Sequence, residues 1–350
     1  MPVSSLTSPP LRLLLDRAAL QHNWRWLSNA SGTAACGAAI KANGYGLGAA
    51  KVMAHLSDIG CRDFFVATWA EAEALMPLAE GMSLSVLHGV RLEDMDVALA
   101  SRAKPVLSTP EQISRWREAS GGLCDVMIDT GINRLGLDWR GDVAEQIRGL
   151  DIDVLMSHLA CADDDNPLSQ LQQQRFGGLR DRLSAKRYSL ANSAGICLGH
   201  GYHHDLTRPG LALYGGVPRG EAVGHIRQVV TPQAQVLQRR VVAAGDHIGY
   251  NATFTASHDM PVAILNIGYA DGYLRGFSGV GKVCAGDVSL PVIGRVSMDL
   301  LIVDISRAPQ VSEGDWLSID YDLPIAAAVS GLSQYELLTG LGQRFERRWI

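Results

Sequence analysis

The sequence has no C-x-x-C pair: its six cysteines, Cys36, Cys61, Cys124, Cys161, Cys197 and Cys284, are widely and irregularly spaced. In a chain of 350 residues that is the distribution of free buried thiols, which excludes a disulfide framework. Excess positive charge is missing too. With a formal net charge of −5 the chain carries no general basic field to neutralise phosphates, so nucleic acid is not expected as a partner. Arg239-Arg240 and Arg347-Arg348 are short runs that read as solvated charges. No apolar run is long enough to span a bilayer, and Met1-Pro2-Val3-Ser4-Ser5-Leu6 lacks a basic leader followed by a sustained apolar core. A soluble, cytoplasmic protein with no membrane partner is expected. Cys197, His200, His203 and His204 share one glycine-rich loop, which is not a helical setting for an H-x-x-x-H pair and has no zinc-knuckle spacing, and no metal is expected. Asp163-Asp164-Asp165 reads as a solvated acidic loop opened by Pro167.

What is present is an alternation. Leu11 to Leu15 predicts a strand, and Asp16 is placed to N-cap a helix over Arg17 to Leu27. Apolar runs too short for independent helices recur at 34–40, 64–67, 84–87, 105–107, 124–128, 154–156, 188–190 and 206–207. Between most of them lie helical patterns such as Trp69 to Leu75 and Pro110 to Trp116. Eight strands alternating with helices predict an α/β fold, a (β/α)8 TIM-type barrel. Just past the runs stand Lys41, Thr68, His88, Ser108, Asp129, His158, Asn192 with Ser193, and Arg208. A barrel would gather them on its C-terminal face. After about Gly224 the helical pattern nearly vanishes, and β-branched segments at 228–230, 236–237, 262–265 and 300–303 alternate with turns. The expected domains are therefore a barrel over 1–224, whose first ~10 residues could pack with the other domain, and a C-terminal mostly β domain over 225–350. Late helices are expected to start at Pro324 and Ser333.

Lys41 ends the apolar run Ala38-Ala39-Ile40 and precedes the turn Ala42-Asn43-Gly44-Tyr45-Gly46. A lysine there is either a Schiff-base nucleophile, its amine made reactive by desolvation and neighbouring charge, or a side chain snorkelling from a strand end into water. Asn192-Ser193-Ala194-Gly195 and Arg208-Pro209-Gly210-Leu211 follow the last two strands, where barrel loops hold phosphate; a plain turn is the alternative. Arg208, with His158 from a neighbouring strand, could face a heteroaromatic nitrogen, or it could pair with Asp205 or another carboxylate at the barrel rim. Arg134, after Asp129-Thr130-Gly131, suits a substrate carboxylate. In the β domain, Gly268-Tyr269-Ala270-Asp271-Gly272 and Gly294-Arg295-Val296-Ser297-Met298-Asp299 are polar clusters in apolar surroundings.

Ala39-Ile40-Lys41-Ala42-Asn43-Gly44-Tyr45-Gly46 resembles the cofactor-attachment motif of the alanine racemases. Asp129 to Gly136, Ser157-His158-Leu159-Ala160, Ala191-Asn192-Ser193, Arg208-Pro209-Gly210, Ile267 to Gly272 and Val296 to Asp299 match that family in the same order. The resemblance implies pyridoxal 5′-phosphate as cofactor, joined to Lys41 as a Schiff base. It implies that Tyr45, Asn192, Ser193, Gly210 and Leu211 bind cofactor, the phosphate above all, that Arg208 faces the pyridine nitrogen with His158 behind it, and that Arg134 and Met298 meet the carboxylate of an amino-acid substrate. Lys41 and Tyr269 are then the two acid/bases, Tyr269 coming from the partner subunit of a head-to-tail homodimer, and the D-alanine made supplies peptidoglycan. A phenol can serve as a base near neutral pH only beside a positive charge, so a cation is expected near Tyr269.

The chain departs from the family pattern at Leu47, where histidine is usual, at Met127, where many members carry a carbamylated lysine that braces the carboxylate-binding arginine, and at Gln343, where some have a tyrosine. Competing readings are a serine or broad-specificity racemase, a pyridoxal-phosphate carrier without turnover, which would lack the β domain, and a decarboxylase of similar plan.

Overall fold

The computed structural model describes residues 8–350; the leader reading of Met1 to Leu6 lies outside the described residues. The chain forms two compact units, Leu20–Arg227, and Gln228–Ile350 together with the described residues up to Ala19.

In the first unit, parallel strands pair in sequence order: Ala38–Ala39, Asp63–Val66, Ser83–Val86, Lys104–Leu107, Cys124–Asp129, Ile152–Met156 and Arg187–Ser189. Leu206–Thr207 pairs with Ala35–Cys36 on one side. On its other side Asp205 N donates to Tyr188 O at 3.0 Å and Arg208 N to Ala191 O at 2.8 Å, which closes the ring. Every predicted run is thus a barrel strand. Their near-continuous apolar character follows from parallel strands being covered on both faces: Phe64, Phe65 and Val66 are all buried. Local chemistry starts the helices. Thr68 and Glu71 form a capping box on Trp69–Glu73, Thr109 caps Pro110–Glu118, and Asn166 caps Pro167–Arg180.

Buried charges gather at the N-terminal ends of the barrel strands. Arg187 bonds Asp63 at 2.8 Å and Asp153 at 2.9 Å, while Lys104 bonds Asp153 and lies 3.4 Å from Asp125. That end of a barrel serves stability, not chemistry. The acidic loop is tied down as well: Arg219 donates to Asp165 Oδ1 at 2.6 Å and to the carbonyls of Ala162 and Asp164, both at 3.0 Å.

The second unit is built on the 13-residue strand Val230–Val242, which merges two of the predicted β segments. It pairs antiparallel with Met260–Leu265 and Trp316–Ile319, and Met260–Leu265 pairs in turn with Leu301–Asp304. Leu11–Leu15 also belongs here, antiparallel to Val230–Val242 and parallel to Glu346–Trp349. The stretch up to Ala19 therefore leaves the barrel unit, a longer exchange than the ~10 residues expected from sequence. The reason is edge availability: the barrel is closed without this strand, whose Leu11, Leu13 and Leu15 are buried on one face of the β sheet. Asp16 Oδ1 accepts the Ala19 N–H at 2.8 Å, capping Arg17–Ala30 as expected. The late helices are Leu323–Ser330, capped by Asp322, and Gln334–Thr339, with a Ser333–Glu336 capping box.

Candidate active site

Lys41 sits at the mouth of the barrel unit, and the turn after it is left-handed. Ala42 (φ 53°, ψ 46°), Asn43 (φ 53°, ψ 48°), Gly44 (φ 64°, ψ 46°) and Tyr45 (φ 52°) follow one another in that region. Gly46 N donates to Ala42 O at 2.9 Å, closing one turn. Each L-residue there costs roughly 1–2 kcal/mol. Glu71 offsets the cost with one carboxylate oxygen and is anchored by the other: Oε1 accepts the N–H of Ala42 at 2.6 Å and of Asn43 at 3.4 Å, and Oε2 accepts those of Ala67 at 2.7 Å and Thr68 at 3.3 Å at the next strand end. The Lys41 ammonium is held below the ordinary lysine range, first by burial, then by the positive charges of Arg134 and Arg208, with Glu71 opposing. Those causes favour a neutral, nucleophilic amine.

The left-handed turn swings Tyr45 back against the loop after the last strand. Its ring stacks on Tyr214 with centroids 4.6 Å apart, and Tyr214 Oη donates to Ala39 O at 2.8 Å. At Gly210 a Cβ would collide with the Tyr45 hydroxyl, so only glycine lets the two approach. Asn192 caps the short helix Ser193–Cys197 through Gly195 N at 2.8 Å. Ser193 Oγ accepts the N–H of Gly210 at 2.9 Å and of Ala212 at 3.2 Å, and Leu211 between them is buried. Tyr45, Asn192, Ser193, Gly210 and Leu211 are thereby brought together around converging backbone donors.

Arg208 is buried, donating to Ser189 Oγ and, at 2.6 Å, to Ser157 O. It does not use Asp205, whose Oδ2 accepts the Tyr188 N–H at 2.8 Å. Burial lowers the guanidinium pKa to about 10, against the opposing charge of Asp125 at the far end of the strands, so Arg208 stays positive at neutral pH. His158 is lowered to about 3, by burial first and then by Arg208, Arg134 and Lys41, which keeps the imidazole neutral. The four cation-forming side chains are therefore near enough to act on one another electrostatically.

The Arg134 loop is shaped by Asp129, which accepts the N–H groups of Gly131 at 2.8 Å, Asn133 at 3.1 Å and Arg134 at 2.8 Å, leaving the Arg134 side chain exposed. Met127 is buried, and a Cβ on Gly136 would lie 3.1 Å from its Cγ. Position 127 is therefore an uncharged, apolar side chain with no amine to carbamylate. Leu47 is fully buried and Gln343 exposed.

In the β unit, the two polar clusters are one packed element. Tyr269 N donates to Ser297 O and Ala270 N to Met298 O, both at 3.0 Å. A Cβ on Gly268 would collide with the backbone of Ser297 and Met298. Met298 is 54% exposed. The cation expected beside Tyr269 is Arg275, its guanidinium carbon 5.2 Å from the ring centroid. Sequence reasoning assigned nothing to Glu71, Arg275 or Arg344; the S/T-x-x-E spacing of Thr68 and Glu71 was the one visible signal.

An anionic cofactor fits the barrel mouth. Arg134 and Arg208 bring positive charge to a site where Glu71 is the one opposing carboxylate acting on Lys41, and the N–H groups of Gly210 and Ala212 converge on the Ser193 hydroxyl beside them. A half-buried lysine of lowered basicity, a buried and charged arginine and a glycine-containing loop packed on a serine hydroxyl fit a pyridoxal-phosphate-dependent enzyme on a barrel.

Comparison with known proteins resolves the class. The alanine racemase N-terminal domain family matches residues 15–218 and the C-terminal domain family residues 229–349. The alanine racemase of Methylobacterium nodulans is 38% identical over 99% of this chain and 98% of its own. A biosynthetic alanine racemase of Agrobacterium fabrum is 37% identical over 97% and 94%. The solved alanine racemase of Bartonella henselae, with covalently bound pyridoxal phosphate, superposes with a TM-score of 0.90 at 33% identity, covering 98% of this chain and 100% of that one. The chain belongs to the alanine racemase family.

Proposed function

We propose that the protein interconverts L- and D-alanine by a two-base mechanism with pyridoxal 5′-phosphate. What supports the reading is the lowered basicity of Lys41, acted on by Arg134 and Arg208, in a chain matched over nearly its whole length by the family. When bound, the cofactor withdraws electrons from the substrate Cα and acidifies its hydrogen. Lys41 Nζ takes or returns that proton on one face, serving the D-enantiomer, and Tyr269 Oη does so on the other, serving the L-enantiomer. Arg134 and Met298 receive the carboxylate, Tyr45, Ser193, Gly210 and Leu211 the phosphate, and Asn192 holds Ser193 in place. Arg208 stays charged and faces the ring nitrogen, keeping it unprotonated; neutral His158 stands behind it.

In this reading Tyr269 and Met298 come from the partner subunit of a head-to-tail homodimer, and a cytoplasmic dimer is typical of the family. Supplying D-alanine for peptidoglycan is the family's general role. A carrier without turnover has no use for the β unit matched at 229–349. No helix among the described residues is long and apolar enough to cross a membrane. The test is to incubate the cofactor-loaded protein with each alanine enantiomer in D₂O and follow Cα–H exchange and inversion separately. Exchange of neither enantiomer sinks the reading; exchange without inversion leaves Lys41 active and removes Tyr269.

A further inference from the structure

Arg344 has no role in the chemistry above, yet it grips both segments that carry the β unit's proposed active-site residues. Its guanidinium bonds Asp271 in a two-point fork, Nε to Oδ1 at 2.6 Å and Nη2 to Oδ2 at 2.7 Å. The remaining arm, Nη1, reaches Asp299 Oδ1 at 2.7 Å. Asp271 lies two residues beyond Tyr269, and Asp299 directly follows Met298. The two carboxylates are not equivalent: Asp271 is fully buried while Asp299 is half-exposed. Asp271 also accepts the Gly268 N–H at 3.0 Å and so closes the turn that carries Tyr269. A buried carboxylate needs a matching cation, and a planar fork satisfies both of its oxygens at fixed orientation, which a lysine cannot reproduce.

We propose that Arg344 is the positioning residue for Tyr269, locking the Tyr269 turn to the Met298 loop so that the phenol is presented at one fixed place. It touches no reacting atom. Its effect is on one of the two proton transfers and not the other, because Lys41 is held by a separate element, the left-handed turn and Glu71. A general ion pair of the β unit would have no such asymmetry. The inference rests on the two-base reading above.

The test compares cofactor-loaded wild type, Arg344→Lys and Asp299→Asn for Cα–H exchange in D₂O from each enantiomer. A displacement of about 1 Å costs on the order of 10²-fold in a positioned proton transfer. Arg344→Lys is therefore expected to lose L-alanine exchange by roughly that factor, while D-alanine exchange without inversion stays within about twofold of wild type. Asp299→Asn keeps the buried Asp271–Arg344 pair and guards against a variant that fails to fold; it is expected to shift the L/D exchange ratio the same way by about tenfold or less. An unchanged L/D ratio in Asp299→Asn, or in a folded Arg344→Lys, overturns the proposal. Wild type exchanging neither enantiomer overturns the racemase reading instead, so the two failures are distinguishable.

Discussion

Glu71 Oε1 lies 2.6 Å from the amide nitrogen of Ala42, the residue directly after Lys41. The bond spans two strand ends and holds a left-handed turn that the chain would not adopt unaided. Glu71→Gln keeps the size but offers one acceptor oxygen where two are used, and turns an NH₂ toward backbone donors. We expect the cofactor-free chain to lose about 1–3 kcal/mol of unfolding free energy in denaturant. A change within about 0.5 kcal/mol would show that the carboxylate is not what holds the turn.

Ala42→Gly should run opposite to ordinary helix behaviour. In a right-handed helix the change costs about 1 kcal/mol, but at φ 53° it removes a Cβ from a crowded conformation. Stability unchanged or raised by up to about 1 kcal/mol is expected by the same unfolding assay, because relief of strain outweighs the added freedom of the unfolded chain.

Gly210→Ala places a methyl group where the Tyr45 hydroxyl lies. Overpacking of this kind costs roughly 1–3 kcal/mol, here taken from the cofactor site, so pyridoxal phosphate affinity should fall by about 5- to 150-fold in a direct titration. Unaltered cofactor affinity would place the phosphate elsewhere.

Lys41→Ala should abolish the visible absorbance of lysine-linked cofactor and the exchange of D-alanine together, since one amine serves both roles. Retention of the band would move the attachment point to another lysine.

His158 makes the barrel acid-sensitive. Its folded value is about 3 against an ordinary 6.5, so between those limits the unfolded chain binds a proton that the folded chain does not. Stability is then lost as pH falls from 6.5 toward 3 and is independent of this group above that window. In denaturant melts of the cofactor-free protein, His158→Gln should show a shallower loss than wild type across that range.

Much of the architecture was readable in advance because its causes are local. Strand-length apolar runs, helix caps such as Asp16 and Ser333, and polar residues just past each run follow from the period of the backbone and from groups a few residues apart. The ordered motifs around Lys41, Arg134, His158, Ser193, Arg208, Tyr269 and Met298 identified the family for the same reason: each is a short stretch with its own chemistry.

Other features depended on distance. Leu11–Leu15 reads as one more strand of the alternation, and only the closed barrel and the free edge of Val230–Val242 decide which sheet receives it. Four successive left-handed residues after Lys41 could not be inferred, since two of them are alanine and tyrosine; the carboxylate that holds the turn comes from Glu71, 29 residues after Ala42. Arg344 is 73 residues from Asp271. By itself the sequence determined the family and the candidate groups for its chemistry, because those are written in residue type and near spacing. Tertiary structure alone decided what holds each group in place, because a buried charge takes whichever partner the fold brings to it.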